Sequence, residues 1–103
     1  MLGHGFLEVV YKDALEIEFK KRNLIYEREK EYHIQYKGII LPHKFYADFV
    51  INDEIILEAK SKENGLPDDF IPLVINYLKV SGCKIGQLVN FGKARLEFKR
   101  IIF

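Results

Sequence analysis

The first part of the chain has its apolar residues at helical spacing. They recur at the i, i+3, i+4, i+7 and i+8 positions that form one face of an α-helix: Leu7, Val10, Tyr11, Ala14 and Leu15. Three consecutive basic residues at 20–22 follow, and cations are favoured near the C-terminus of a helix. The pattern therefore predicts a helix from Gly5 to about Arg22.

From Leu24 to Tyr36 the pattern changes to an alternation with a period of two, which is typical of a β-strand. One side of this predicted strand carries aromatic, aliphatic and basic residues: Tyr26, Arg28, Lys30, Tyr32, Ile34 and Tyr36. Glutamates occupy most of the other side. The segment is therefore expected to form a long, partly exposed strand.

The rest of the chain contains further apolar runs separated by turn-forming residues. A hairpin turn at Lys37-Gly38 is expected to lead into a short strand, 39–41, that Pro42 ends. The remaining predicted elements are strands at 45–51 and 55–60, a helix from Asp68 or Asp69 to about Val80, a strand at 85–91, a turn at Gly92-Lys93 and a strand at 94–102. The order αββββαββ predicts an α/β (α+β) fold with a central mixed sheet flanked by two helices.

Two acidic residues lie in otherwise apolar strands on either side of the predicted turn at 52–54. If Asn52, Asp53 and Glu54 form a three-residue loop, Asp48 lies directly opposite Glu58. Opposed Cβ atoms are about 4.5–5.5 Å apart, so two carboxylates there repel unless a positive charge lies between them. A divalent metal ion meets that need, and Lys60, on the same strand face as Glu58, supplies a second positive group. A two-residue loop would instead turn the two acids to opposite faces.

The Glu-x-Lys triplet at 58–60 carries little information by itself. It occurs three times in the chain, and 30% of the residues are charged. Only the second copy follows an apolar strand, Ile55-Ile56-Leu57. A surface salt bridge between Glu58 and Lys60 therefore stands as the alternative to a catalytic site.

Several segments together resemble a known family. The segment GFLEVVY at 5–11 fits a Gly-x-x-Glu-x-x-Tyr signature, and Asp48 with Glu58-x-Lys60 is similar to the Asp…Glu-x-Lys core of the PD-(D/E)XK nucleases. With NYLKVSG at 76–82 and QLVNFGKARLEFKRI at 87–101, the chain resembles the GxxExxY family of that superfamily from Gly3 nearly to its end.

This resemblance implies a restriction-endonuclease-like core and a metal-dependent nuclease. It implies that Glu8 joins Asp48 and Glu58 as ligands of Mg²⁺ or Mn²⁺, and that Lys60 positions the attacking water or offsets negative charge on the phosphate. The chain departs from the family pattern at Leu73, where members usually have a glutamine. It also lacks the helical stretch that usually precedes the glycine pair, which could favour self-association into a homo-oligomer.

Composition limits the function further. At 103 residues, residues 1–103 are expected to form a single domain, and 49% hydrophobic residues are typical of a globular protein. The net charge of +1 argues against a strong nonspecific coat on DNA, but not against a nucleic-acid substrate. One cysteine and the lack of a membrane-spanning run predict a cytoplasmic protein with no membrane partner. A catalytically inactive binding or oligomerisation module on the same scaffold is the alternative function.

Overall fold

The computed structural model describes residues 4–92 and 96–103, and side chains from Leu7 onward. These residues form two helices and five strands. In chain order they are α1 (His4–Lys21), β1 (Tyr26–Tyr36), β2 (Ile39–Ile51), β3 (Ile55–Lys60), α2 (Phe70–Ser81), β4 (Ile85–Asn90) and β5 (Glu97–Ile102). Neither helix, over the described residues, is long and apolar enough to cross a membrane.

The strands form one sheet in the order β1-β2-β3-β4-β5. Strands β3 and β4 pair in parallel, and the other neighbours pair antiparallel. A parallel pair needs a crossover connection, which α2 provides between β3 and β4. The predicted fold class, a mixed sheet with two helices, is confirmed.

The predicted element order is wrong at one point. Strand β2 is continuous from Ile39 to Ile51, so the order is αβββαββ rather than αββββαββ. The pairing of β1 with β2 shifts between His33 and Gln35, and residues 41–43 of β2 fall in this irregular stretch. Pro42 is tolerated there because residues 41–43 have no paired partner in β1, so the N–H group that proline lacks is not needed for a ladder hydrogen bond. The Lys37-Gly38 hairpin turn is confirmed, with φ values of 50° and 79°.

The turn between β2 and β3 is the three-residue loop that fixes the site. Ile51 pairs with Ile55 and Phe49 with Leu57, which is the predicted register. Asn52 and Asp53 both have positive φ. The ladder ends at the Phe49–Leu57 pair, and the same register continued by one residue places Asp48 opposite Glu58.

Both helices are followed by a residue with a left-handed backbone. Helix α1 ends before Asn23, whose φ is 55°, and Gly82 at the end of α2 has a φ of 78° and donates its N–H to the Leu78 carbonyl. Asp69 is at the N-cap of α2 but makes no side-chain capping bond. The predicted start of the last strand at Ala94, the Lys93 half of the preceding turn, and Gly3 lie outside the described residues.

Each helix covers its own apolar cluster on the sheet. Phe19 of α1 packs with Phe49 and Leu57, whereas α2 packs on the cluster that contains Ile56, Val74, Leu78 and Leu88. Gly86 lets α2 approach β4 closely, because a Cβ atom there would lie 2.5 Å from the Val74 side chain.

The residues of β1 predicted to share one side of the strand do not all pack on the same face of the sheet. Tyr26 packs in the cluster under α1, whereas Tyr32 and Ile34 pack against the cluster under α2. Glu29 has a φ of 54°, which interrupts the alternation of side chains along the strand. The hairpin therefore changes the face it buries at the level of Glu29, which is also the level of Asp48 on β2.

Candidate active site

Asp48 and Glu58 lie together at the point where β2 and β3 separate. Both side chains belong to buried residues, with exposed fractions of 9% and 5%. The Ala59 N–H donates a 2.8 Å hydrogen bond to Asp48 Oδ2, so the carboxylate replaces a main-chain acceptor where the ladder ends. This bond fixes the aspartate carboxyl group beside the glutamate.

The Glu58 carboxyl group is buried in an environment that disfavours its negative charge. Its buried Oε1 atom has no hydrogen-bond partner among the described residues. Burial and the neighbouring charge of Asp48 raise the pKa of Glu58 to about 9, and the positive charge of Lys60 opposes that rise. Without an added cation, the folded protein therefore keeps Glu58 protonated at neutral pH.

Lys60 lies two residues after Glu58 on the same face of β3. Its ammonium group lies over the ring of Phe70, 5.7 Å from the ring centroid, at the start of α2. Lys60 is partly buried, and its positive charge acts on Glu58.

Glu8 reaches the same region from α1. Its Oε2 atom accepts a 3.0 Å hydrogen bond from the N–H of Ser61, just after β3. Among the described residues, no three His, Cys, Asp or Glu side chains are grouped so as to hold a metal ion. The structure thus brings Asp48 and Glu58 together, and the part of Glu8 as a third ligand stays a prediction.

Lys12 also lies at the site, although it was not predicted from the sequence. Its Nζ atom lies 2.7 Å from Glu29 Oε1 and 3.3 Å from Asp48 Oδ1, and its side chain is 12% exposed. Burial lowers the pKa of Lys12, but the carboxylates of Glu29 and Asp48 outweigh burial, so the pKa is raised overall. The one available signal is its position four residues after Glu8, on the same face of the helix.

Asn90 is a second missed residue, at the end of β4. Its side chain is completely buried, and it accepts the N–H of Lys62 and donates to the Lys62 carbonyl, both at 2.8 Å. It also binds the Gly92 N–H and the Glu97 carboxylate. Asn90 thereby holds the loop that follows β3 against the β4–β5 end of the sheet.

The loop after β3 borders a cleft. The cleft has a volume of about 420 Å³ and is lined by Ser61, Lys62, Glu63, Asn64, Gly65 and Pro67. It opens next to the end of β3, where Ser61 also contacts Glu8.

Leu73, at the position where the resemblance implies a glutamine, lies on a different surface. It lines an apolar groove with Ile34, Phe45 and Tyr77, and it is 40% exposed. Tyr77 connects this groove to the site electrostatically: burial raises its pKa, and the charges of Glu58 and Asp48 raise it further.

Glu58→Gln is expected to stabilise the metal-free protein at alkaline pH. Because the pKa of Glu58 is raised from 4.5 to about 9, the folded chain keeps a proton that the unfolded chain releases. Stability is therefore lost as pH rises from about 4.5 towards about 9, and glutamine, which does not ionise, removes this loss. We expect a gain of about 1–3 kcal/mol at pH 8 and a much smaller gain near pH 4.5, measured by urea unfolding with a chelator present.

Glu54→Gln, an exposed change in the β2–β3 turn, is the matched control and should leave the pH dependence of stability unaltered. An equal effect of Glu58→Gln at both pH values would contradict the raised pKa.

The residues at this site fit a divalent cation. An unpartnered buried carboxylate oxygen and a second carboxylate opposite it form an oxygen-rich position that needs positive charge. Mg²⁺ and Mn²⁺ prefer oxygen ligands of this kind.

The amino-acid sequence of residues 1–101 matches the family model of the PD-(D/E)XK nuclease superfamily. No protein of curated function matches the chain. Among solved structures, the chain is similar to the crystal structure of SSO0001, with 26% identity and a TM-score of 0.70 over 95% of this chain and 50% of that chain.

The chain is also similar to an alkaline exonuclease (LHK-Exo) from Laribacter hongkongensis. That match has 11% identity and a TM-score of 0.66, and it covers 99% of this chain and 59% of the exonuclease chain. The protein thus spans 50% and 59% of the length of these two neighbours and shares their fold. With a family match over nearly its whole length, the chain belongs to the PD-(D/E)XK nuclease superfamily.

Proposed function

We propose that the protein is a metal-dependent nuclease that hydrolyses phosphodiester bonds in nucleic acid. The observation that carries the proposal is the buried Asp48–Glu58 pair, in which Glu58 Oε1 has no hydrogen-bond partner among the described residues. A purely structural acidic pair would be expected to have its oxygens satisfied by donors of the protein. Membership of the nuclease superfamily supports the same reading.

Asp48 and Glu58 would hold Mg²⁺ or Mn²⁺, with Glu8 as a further ligand. Such an ion supplies Lewis-acid stabilisation of charge on the phosphate and lowers the pKa of a water nucleophile. The chain itself fixes Asp48 through the Ala59 N–H, which limits the movement of that carboxylate. Precise placement of charged groups is a major source of catalysis in phosphoryl transfer.

Lys60 would act on the phosphate directly. Lys60 lies on the same strand face as Glu58, its positive charge acts on that carboxyl group, and its ammonium group lies over the Phe70 ring. A positive charge there stabilises the negative charge that develops on the phosphate oxygens. The cleft along residues 61–67 would take the adjoining part of the nucleic acid.

The alternative is a nuclease-like domain that binds a partner or a second copy of itself without catalysis. Leu73 favours it, because an apolar side chain stands where the resemblance implies a polar one, and it lines an apolar groove. We also propose, as part of the nuclease assignment, that the protein is a member of the GxxExxY family. Self-association and a cytoplasmic location stay predictions.

Calorimetric titration with Mn²⁺ separates the two functions. We expect the folded wild type to bind Mn²⁺ and Asp48→Asn to lose at least about tenfold in affinity, because the amide lacks a charged oxygen. Asp68→Asn, a change at an exposed residue before α2, is the matched control and should bind as the wild type does. A folded wild type that takes up no metal would overturn the nuclease proposal and favour the binding module.

A further inference from the structure

Lys12 occupies a position that is itself built like a cation site. Its ammonium group lies between two carboxylate oxygens, 2.7 Å from Glu29 Oε1 and 3.3 Å from Asp48 Oδ1. The side chain is 12% exposed, so the ammonium group is largely withdrawn from solvent. Lys12 has no role in the catalytic mechanism proposed above.

The backbone is strained where this arrangement forms. Glu29 has a φ of 54°, which is costly for a residue with a side chain. In a regular strand, Arg28 and Glu29 would point to opposite faces. Here both contact α1: Arg28 binds Asp13 and Glu16 of that helix, and Glu29 binds Lys12.

Helix α1 is fixed on the other side as well. Glu8, one turn before Lys12, accepts the Ser61 N–H just after β3. Lys12 is therefore attached through Glu29 to β1, and its helix is attached through Glu8 to the end of β3. These contacts hold the ammonium group against Asp48.

The two oxygens of Asp48 thus face different surroundings. Oδ2 accepts the N–H of Ala59, the neighbour of Glu58, and Oδ1 contacts Lys12. On the Glu58 side an oxygen without a partner among the described residues marks one cation position. On the Glu29 side the corresponding position is filled by the Lys12 ammonium group.

We infer that Lys12 takes the place of a second metal ion, so that the protein binds a single divalent cation, on the Glu58 side of Asp48. This inference rests on the proposed function. The tethered ammonium group places one fixed positive charge beside Asp48, and the divalent cation binds the Glu58 oxygen that has no other partner among the described residues. Removing the ammonium group leaves Glu29 and Asp48 facing a position that a second oxygen-seeking cation can fill.

The number of Mn²⁺ ions bound per chain tests this inference, counted by calorimetry and by electron paramagnetic resonance of the free ion. We expect one ion for the wild type and two for Lys12→Met. Lys12→Arg restores the positive charge and should return the number to one. Lys12→Met with Glu29→Gln removes one of the two freed carboxylates and should also give one. Lys20→Met, a change in the same helix at a side chain that is 70% exposed, is the matched control and should bind one ion.

These counts distinguish failure of the role proposed for Lys12 from failure of the proposed nuclease function. Two ions in the wild type, or one ion in both the wild type and Lys12→Met, would overturn the role of Lys12 and leave the nuclease proposal standing. No ion in the wild type would overturn the proposed metal site, and the inference would fall with it. If Lys12→Met does not fold, Lys12→Gln removes the same charge and is judged by the same counts.

Discussion

Asp48→Asn is expected to lower metal-dependent cleavage of nucleic acid by about 10³-fold or more while the chain stays folded. The change keeps the size of the side chain but removes the charge opposite Glu58. It also leaves the Lys12 ammonium group with one carboxylate partner, Glu29, instead of two. The measurement is the initial rate of cleavage of end-labelled single- and double-stranded DNA and RNA, with Mg²⁺ and with Mn²⁺.

Two further variants make this test specific. Glu58→Gln should lose cleavage to a similar extent although it gains stability at alkaline pH, so loss of fold would not explain its loss of activity. Asp68→Asn, which changes the charge of the chain equally but at an exposed position, should cleave at the wild-type rate. Cleavage by Asp48→Asn within tenfold of the wild-type rate would place the chemistry elsewhere.

Asn90→Ala is expected to destabilise the protein by about 3–4 kcal/mol. The Asn90 side chain is fully buried and makes four hydrogen bonds, to the Lys62 N–H and carbonyl, the Gly92 N–H and the Glu97 carboxylate. Alanine leaves buried donors and acceptors unsatisfied and frees the loop that lines the cleft. The measurement is urea or thermal unfolding monitored by circular dichroism.

Asn64→Ala provides the matched control for this loop. Asn64 lines the same cleft but is exposed, so its removal should change the free energy of unfolding by no more than about 0.5 kcal/mol. Asn90→Asp should also destabilise the protein, because it puts a charge beside the Glu97 carboxylate and loses the donor to the Lys62 carbonyl. Stability of Asn90→Ala within about 1 kcal/mol of the wild type would show that the loop is held by other contacts.

In the proposed site, the Glu58 carboxyl group that would bind the cation lowers the stability of the metal-free protein. Its carboxyl group is buried beside a like charge, which raises its pKa to about 9 and costs the metal-free protein stability above acidic pH. A cation between Asp48 and Glu58 relieves that cost. Groups placed for ligand binding often destabilise the unliganded fold in this way.

The parts of the fold that local chemistry determines were predictable from the sequence. The period of the apolar positions predicted α1, and Asn52-Asp53-Glu54 predicted a turn in which a three-residue loop was one of two alternatives. The three-residue alternative places Asp48 opposite Glu58, and the structure has that loop and register. Gly82 follows α2 with a left-handed backbone, a conformation that glycine adopts readily.

The errors and omissions come from contacts between distant parts of the chain. Glutamate seldom adopts a positive φ, so nothing in the sequence marked Glu29 as the point where the hairpin changes its buried face. Pro42 ends a strand by local rules, yet it is accommodated where the β1–β2 ladder is irregular. Lys12 reaches Asp48, 36 residues away, only because α1 crosses this part of the sheet.

The most direct test of the central claim is a crystal structure of the wild-type chain with Mn²⁺, with the ion located by its anomalous scattering. We predict a single peak between Asp48 and Glu58, about 2.0–2.6 Å from a carboxylate oxygen of each residue, with Lys12 still bound to Glu29. A map with no peak at this pair, or with manganese only elsewhere on the protein, would contradict the account.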